Sequence, residues 1–557
     1  MFGMTARNAV DPDLWWHLRT GQWIVETGHV PHTDPFSFTR AGHAWVSHEW
    51  LSEAAFYELW KHGGAAALIV FSAIITTAGF MLLYLRCLHC GVKPHWAAAA
   101  TALGALAAAP SFGVRPQMFT FTLASLLLWL IERGEKRPWL LLWIPPLFLL
   151  WLNLHAGFAL CLALLLAYGA GVTIETAVGD TPWHEARPIL LRVLLLVLAC
   201  VALVPLNPSG AELYRYPYDT LRSSEMRSLI GEWQSPDFHE WLYRPFLLVW
   251  LLLFGALASA RSRPSTAKAA YVEGPSGTAE AVPYPKLTGN ELNRRFPKWR
   301  VLVPLLLTAG AALDAVRHIP IFILLAMPVI AGALAGNRSD HDENSHVSKN
   351  ARRGAPAQGN TGETLQSPDS SRFRRIFNGA VILLLAVFAL ARWVSLARGQ
   401  DAREAEQYPQ KAVAFLRASN SPRNIFVYYD WGGYAIWKLY PQYRVFVDGR
   451  ADLYGSDLSG NDLPSNDQYQ DDLLHQFRTA VDLRTGWRGV LDRWKVEAVL
   501  VPPSCALAQA LLLDPNWHTE FSDSKAILLL RTEPTVENTG ASHGPTLQQP
   551  VAAGTRM

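Results

Sequence analysis

Two carboxylates two residues apart open the chain's reactive stretch: Asp11-Pro12-Asp13 is followed by Leu14-Trp15-Trp16-His17-Leu18-Arg19. A helix starting at Pro12 carries both acids at its mouth. Such a pair can hold a divalent cation against a phosphate, or one acid can take a proton from an attacking hydroxyl while the other orients it. Helix capping accounts for one acid but not for the cluster. His17 and Arg19 are cations suited to an anionic leaving group. Trp15 and Trp16 can stack on a sugar face, and indoles also gather at membrane interfaces without any ligand. Farther on, Ser47-His48-Glu49-Trp50-Leu51 opens a helix with apolar Leu51, Ala54, Ala55, Tyr57 and Leu59, predicted to lie flat on the membrane surface. Glu49 is a third catalytic candidate, although an acid in a first turn also suits the helix dipole.

More polar residues stand where predicted turns meet apolar segments: Arg115-Pro116-Gln117, Asn153-Leu154-His155, Asn207-Pro208-Ser209-Gly210, Glu232-Trp233 and Arg317-His318-Ile319-Pro320. Each alone can be a hinge or a snorkelling side chain. Together Arg115, Asn153, His155, Arg317 and His318 supply what a phosphate-bearing lipid requires around one cavity. Toward the C-terminus, Asp430 and Trp431 follow one predicted strand, and Asp448 and Arg450 follow the next. Strand ends are where α/β sheets bind ligands; a local Asp448–Arg450 ion pair is the alternative. His29, His32, His43 and His48 lack the spacing of a zinc site, and Cys87-Leu88-His89-Cys90 reads as an interfacial thiol pair.

The elements that position these groups follow from composition. Half of the 557 residues are hydrophobic, 17% are charged and 22 are Trp, which points to a multi-span membrane protein. A net charge of +3 gives no case for nucleic acid, and five scattered cysteines give none for a disulfide framework. Ten apolar runs, near 63–86, 96–113, 117–132, 138–154, 157–178, 188–206, 244–260, 300–316, 319–336 and 376–395, predict ten helical spans. Basic residues in 261–300 and 336–375 place those loops in the cytoplasm, so 11–62, the motif-bearing turns and everything after 396 fall outside. By that parity a leading helix is expected ahead of residue 1.

The predicted organisation is an outer loop with its amphipathic helix at 1–62 and a transmembrane bundle at 63–396. Loops 261–298 and 337–372 read as disordered, as does the tail 532–557. Residues 400–531 read as a soluble external α/β domain with a mostly parallel sheet, its strands near 424–429, 444–447, 497–501 and 526–530 and its later helices at 466–482, 485–494 and 504–513.

These motifs and this architecture resemble the GT-C superfamily of polytopic membrane glycosyltransferases, with distant similarity to oligosaccharyltransferases and mannosyltransferase-like proteins. The resemblance covers most of the chain. It implies an α-helical polytopic protein that transfers a sugar from a polyprenyl-phosphate carrier, with inversion, to an acceptor on the outer face of a bacterial-type inner membrane. An acid of the first outer loop is then the base or a metal ligand, which maps onto Asp11 or Asp13, and a divalent cation is an implied cofactor. Tyr428-Tyr429-Asp430-Trp431-Gly432 is similar to the Trp-Trp-Asp-Tyr-Gly acceptor motif of oligosaccharyltransferases, with Tyr and Trp exchanged. A non-catalytic scaffold or lipid-carrier binder of the same architecture is the alternative. A transporter is weaker, because no span interior carries the ionisable pairs of an ion pathway.

Overall fold

The computed structural model describes residues 1–217, 230–261, 271–273, 279–281, 297–333, 368–419, 423–455 and 472–532. Among the described residues, six helical segments are long and apolar enough to cross a membrane: Trp50–His89, Ala156–Ala177, Trp183–Leu206, Trp241–Ser259, Val316–Ala333 and Arg375–Gln407. The ten-span expectation is not met at that standard. Its other four runs fold as Pro94–Ala108, Gln117–Gly134, Pro138–Leu154 and Trp299–Asp314, helical but shorter or less apolar than a span requires. The expected surface helix is the start of Trp50–His89, interrupted where Gly64 adopts φ 57°, ψ −153°. Only glycine takes that conformation without a steric cost, so the helix bends there before entering its apolar stretch.

The acid-bearing segment folds as the helix Pro12–Thr27. Asp11 caps it by accepting from the Asp13 N–H at 3.1 Å, Pro12 fills the first turn, and left-handed Gly28 (φ 72°) ends it. Capping therefore engages Asp11 and leaves the Asp13 carboxylate to other work. The helix packs on Trp50–His89, where Gly21 lies against the Glu53 carbonyl; a Cβ on Gly21 would meet that oxygen at 2.0 Å. Trp15 and Trp16 face neither lipid nor a sugar, being 0% and 8% exposed within protein. Trp15 makes edge contacts with Trp60, Tyr408 and Tyr434 at ring-centroid distances of 5.8, 5.5 and 5.1 Å. One indole thereby ties the first loop, a span and the C-terminal unit together.

The short strands β1 (Tyr271–Glu273) and β2 (Ala279–Ala281) form an antiparallel pair inside a loop read as structureless. Most of the two loops, the tail after 532 and the first part of the helix expected at 466–482 lie outside the described residues. That helix is described as Leu473–Val481, and the other two as Trp487–Arg493 and Ala506–Leu512.

The C-terminal sheet comprises β3 (Arg423–Val427), β4 (Tyr443–Val445), β5 (Ala498–Val501), β6 (Trp517–Ser522) and β7 (Ile527–Arg531), in the order β4-β3-β5-β7-β6. Only the β4–β3 and β3–β5 pairs are parallel, and β5–β7 and β7–β6 are antiparallel. The expectation of a mostly parallel sheet fails because Trp517–Ser522, buried only at Trp517, does not read as a buried strand, yet hairpins with β7.

The first loop extends this sheet at its β4 edge. Phe38 N–H donates to the Val445 carbonyl at 3.1 Å, and Val445 N–H to Phe36 at 3.4 Å. Beneath that seam Arg450, fully buried, donates to Asp34 (2.7 Å) and Asp448 (2.7 and 2.8 Å) and lies 4.5 Å over the Trp45 ring. The first loop and the C-terminal domain are stitched by backbone and by buried charge.

Candidate functional site

The helix Pro12–Thr27 delivers Asp13 to a chamber that four other segments close. The turn before Gln117–Gly134 brings Arg115, whose guanidinium stands 3.5 Å from Asp11, 4.0 Å from Asp13 and in direct contact with Glu232. Gly113 makes room for this arrangement, since a Cβ there would come within 2.7 Å of the Asp11 carboxylate. From the C-terminal domain, Gly449 lies against Asp13 so closely that a Cβ would sit 2.3 Å from its Oδ1.

Three carboxylates thus share one guanidinium. Burial pushes Asp13 up to about 7, with Asp11 adding repulsion and Arg115 only partly offsetting it. Its side chain keeps 37% exposure, so the group is enclosed by protein mass yet open to a ligand. Burial also raises Asp11, against the pull of Arg115. Glu232 goes the other way: burial opposes its ionisation, but Arg115 and then Arg317 hold it below the usual range. Arg317 lies 4.3 Å over the Trp233 ring and acts electrostatically on Glu232 and His155, so it faces this chamber.

Beside the acids, three imidazoles converge on Glu49. Their Nε2 atoms lie 3.4 Å (His17), 3.1 Å (His48) and 3.5 Å (His155) from its carboxylate. The second nitrogens reveal the protonation states. His48 Nδ1 faces the Val46 carbonyl at 3.1 Å and His17 Nδ1 faces Glu53 at 3.4 Å, so both rings present two donors and are imidazolium. His48 is accordingly raised to about 9, and His17 is also raised; burial opposes both, and the glutamates win. His155 differs. Its Nδ1 accepts from the Gly157 N–H and from the Thr120 hydroxyl, both at 2.8 Å, so the ring is neutral, with its proton on Nε2 toward Glu49. Burial lowers it to about 4. Although burial disfavours the Glu49 charge, the surrounding imidazoles of His155, His48 and His17 hold its carboxyl well below the usual range. Because His155 is neutral, it contributes an N–H donor and the positive charge is that of His48 and His17.

Of the residues expected at a site, Asp11, Asp13, His17, Glu49, Arg115, His155 and Arg317 are brought together. Asp430 is exposed beside them, close enough for Asp11 to raise it after burial does. The others are engaged elsewhere. Arg19 stacks 4.7 Å over Tyr440, and Asn153 accepts from Trp50 (2.7 Å) and Asn207 (3.2 Å), fixing two turns. His318 Nδ1 lies 3.1 Å from the Ala311 carbonyl, and Trp431 donates to Gln407 at 3.2 Å. Asp448 and Arg450 form the buried ion pair described above.

Several members of the chamber carried no assigned role in the sequence. Glu53 had a signal, four residues after Glu49 on one helical face. Glu232 had only its place in the Glu232-Trp233 turn and no role of its own. His48, Asp452 and Tyr429 enter only through the fold: Tyr429 starts the helix Tyr429–Leu439, and its buried hydroxyl has no hydrogen-bond partner among the described residues. It lies within electrostatic reach of Asp13 and Asp452.

The resemblance implies a divalent cation, and these residues do not fit one. Arg115 already occupies the space between the carboxylates. The imidazoles of His17 and His48 present protons where a metal needs lone pairs, as does Nε2 of His155. No group of three or more His, Cys, Asp or Glu among the described residues is arranged to hold a metal ion.

No protein-family model matches the chain, and no curated protein matches it. Solved structures do. The Archaeoglobus fulgidus oligosaccharyltransferase AglB, in complex with an inhibitory peptide and a dolichol-phosphate, matches at 12% identity over 89% of this chain and 66% of that one, with a TM-score of 0.44. An apo crystal structure of the oligosaccharyltransferase of that organism gives 13% identity, 88% and 66% coverage and a TM-score of 0.42. Its complex with zinc and sulfate gives 12%, 89%, 64% and 0.44. The chain spans less than two thirds of the length of these relatives.

Proposed function

We propose that this protein is a membrane glycosyltransferase that moves a sugar from a polyprenyl-phosphate carrier to an acceptor on the outer face of a bacterial-type inner membrane. The single observation that carries this reading is Asp13: a carboxylate accessible to ligand, raised to about 7 and set 4.0 Å from the Arg115 guanidinium. A base that titrates near neutral pH is matched to taking a proton from a hydroxyl. A hydrophobic carrier enters from the bilayer between spans. Its phosphate meets Arg317 and Arg115, which stabilise charge as it develops on the departing oxygen.

The acceptor hydroxyl gives its proton to Asp13 as its oxygen bonds to the anomeric carbon. Asp11, through its N-cap bond and its pull on Arg115, keeps Asp13 oriented. Glu49 and its imidazoles form a matched charge array that fixes the neighbouring wall. Asp430 and Tyr429 bring the C-terminal domain to the acceptor side.

The test is transfer of radiolabelled sugar from polyprenyl mono- and diphosphate donors by membranes containing the protein. Transfer that is lost in Asp13→Asn supports the reading. Transfer that survives Asp11→Ala with Asp13→Ala overturns the assigned roles. Carrier binding without turnover by the wild type favours the scaffold alternative.

A further inference from the structure

Along the helical segment Arg375–Gln407 no charged residue stands between Arg375 and Arg392, a stretch of about 25 Å, close to the thickness of a hydrocarbon core. Its large apolar side chains from Ile376 onward lie uncovered by protein, and that uncovered run ends at Leu390. Arg392 is the first charge beyond it. Next to it Trp393 donates its indole N–H to the Ala66 carbonyl at 3.1 Å. A guanidinium and an indole at the end of an apolar run mark the border between acyl chains and headgroups.

A second guanidinium stands at the same level. The N-terminal helix Phe2–Thr5 and the residues after it run beside this segment. A Cβ on Gly3 would meet the Phe388 ring at 2.8 Å, Asn8 donates to the Leu396 carbonyl at 3.0 Å, and Ala9 exchanges two hydrogen bonds with Gln400, at 2.9 and 2.8 Å. The contacts at Phe388 and Leu396 bracket Arg392, and those at Gly3 and Asn8 bracket Arg7, so the pairing sets the two arginines side by side. Both are half-buried. Burial and then the positive charge of Arg392 lower Arg7 below the usual guanidinium range, yet arginine stays charged. Among the described residues neither has a carboxylate within 4 Å, and Arg7 reaches only the Ala6 carbonyl, at 3.5 Å. Two like charges held together at a bilayer border are costly until an anion joins them. The anion in supply at that depth is lipid phosphate, whose oxygens suit the forked N–H donors of a guanidinium.

We propose that Arg7 and Arg392 bind the phosphate of an anionic phospholipid in the leaflet on the chamber side, a bilayer lipid separate from any sugar donor. Bound there, the lipid ties Phe2–Thr5 to Arg375–Gln407 just below Ala9 and Val10, which Gln400 and Tyr408 hold and which lead into Asp11. The site stands whether or not the protein transfers a sugar.

The full chain in detergent is titrated with phosphatidylglycerol or with phosphatidylcholine, with retained lipid read by native mass spectrometry and melting temperature by thermal shift. Phosphatidylglycerol should bind more tightly and raise the melting temperature more. Arg7→Gln and Arg392→Gln should each weaken its binding about fivefold, the share of one basic side chain at a charged lipid surface. Arg7→Lys with Arg392→Lys, which keeps both charges if a glutamine variant fails to fold, should retain most of the preference. Arg398→Gln, on the same helix about 9 Å farther from the acyl chains, should leave it unchanged. Equal binding of the two lipids by the wild type overturns the proposal, as does an unchanged preference in folded Arg7→Gln and Arg392→Gln. A loss in Arg398→Gln as large as that in Arg392→Gln overturns it too, being the mark of general surface charge. Inorganic phosphate that raises the melting temperature as much as phosphatidylglycerol overturns the lipid assignment, because the site then takes its anion from solution.

Discussion

At the N-terminal ends of helices Trp50–His89 and Gln117–Gly134, buried charge is crowded: three carboxylates lean on Arg115 and three imidazoles on Glu49. At the opposite ends of those helices, about 27 Å away along the second of them, buried charge is matched with short, multiple bonds. Arg86 clasps Glu132 through Nε and Nη2 at 3.0 and 2.6 Å and gives Nη1 to the Leu324 carbonyl. Arg300 holds Glu175 with Nε, Nη2 and its own backbone N–H, and reaches Glu135 at 3.0 Å. The far end satisfies its charges and the near end does not. A guanidinium with one bidentate partner is a fastener, whereas one divided among three acids leaves a carboxylate raised and accessible.

The largest effect should come from the near end. Asp13→Asn is expected to lower the transfer rate by about 10²- to 10⁴-fold, the usual share of general-base catalysis, without loss of folded protein. Retained transfer would remove the functional half of the contrast. At the far end the outcome should reverse: Glu175→Gln leaves Arg300 partly unpaired and should cost about 3–5 kcal/mol of stability, read as a lower melting temperature and poorer yield. A Gly449→Ala substitution probes the seam between the regions, since its methyl must displace Asp13 or Trp16. Overpacking of this kind costs about 1–3 kcal/mol, and transfer should fall more than the melting temperature does.

A pH series sharpens the same comparison. The Asp13 pKa is raised in the fold from 3.8 to about 7, so the folded state binds a proton more tightly than the unfolded chain. Its contribution to stability is therefore most favourable below pH 3.8 and is lost as pH rises toward 7. Asp13→Asn should melt higher than wild type at pH 8 and equal to it near pH 4. The transfer rate of the wild type should rise with pH through about 7, as the base ionises. The smallest effect should be that of Arg19→Ala, which removes a cation–ring contact worth about 0.5–1 kcal/mol and should leave transfer within about twofold. A larger loss of transfer would place Arg19 in the site after all.

Much of this was legible in the chain because it depends on local physics. Apolar runs of helical length announced the bundle, and Asp11-Pro12-Asp13 announced a capped helix with an acid to spare. Six of the ten expected spans stand among the described residues as helices long and apolar enough for a bilayer; the other four runs form shorter or less apolar helices, a difference that apolar content alone does not reveal. Asp448 and Arg450 were legible as a pair but not as a seam, because their third partner, Asp34, lies 414 residues before Asp448 and 416 before Arg450. Glu232 was seen only as part of a turn, since no periodicity marks a residue that acts through the guanidinium of Arg115.

The sequence by itself determined which segments are apolar enough for a bilayer, where the helix of the first loop begins, and which types of reactive group the chain possesses. Tertiary structure decided how those groups are matched. Which acid is pushed up to about 7, which histidines are imidazolium, and which carboxylates share Arg115 depend on distances of a few ångströms between segments remote in the chain. Burial and mutual charge act over those distances, and residue type alone carries neither.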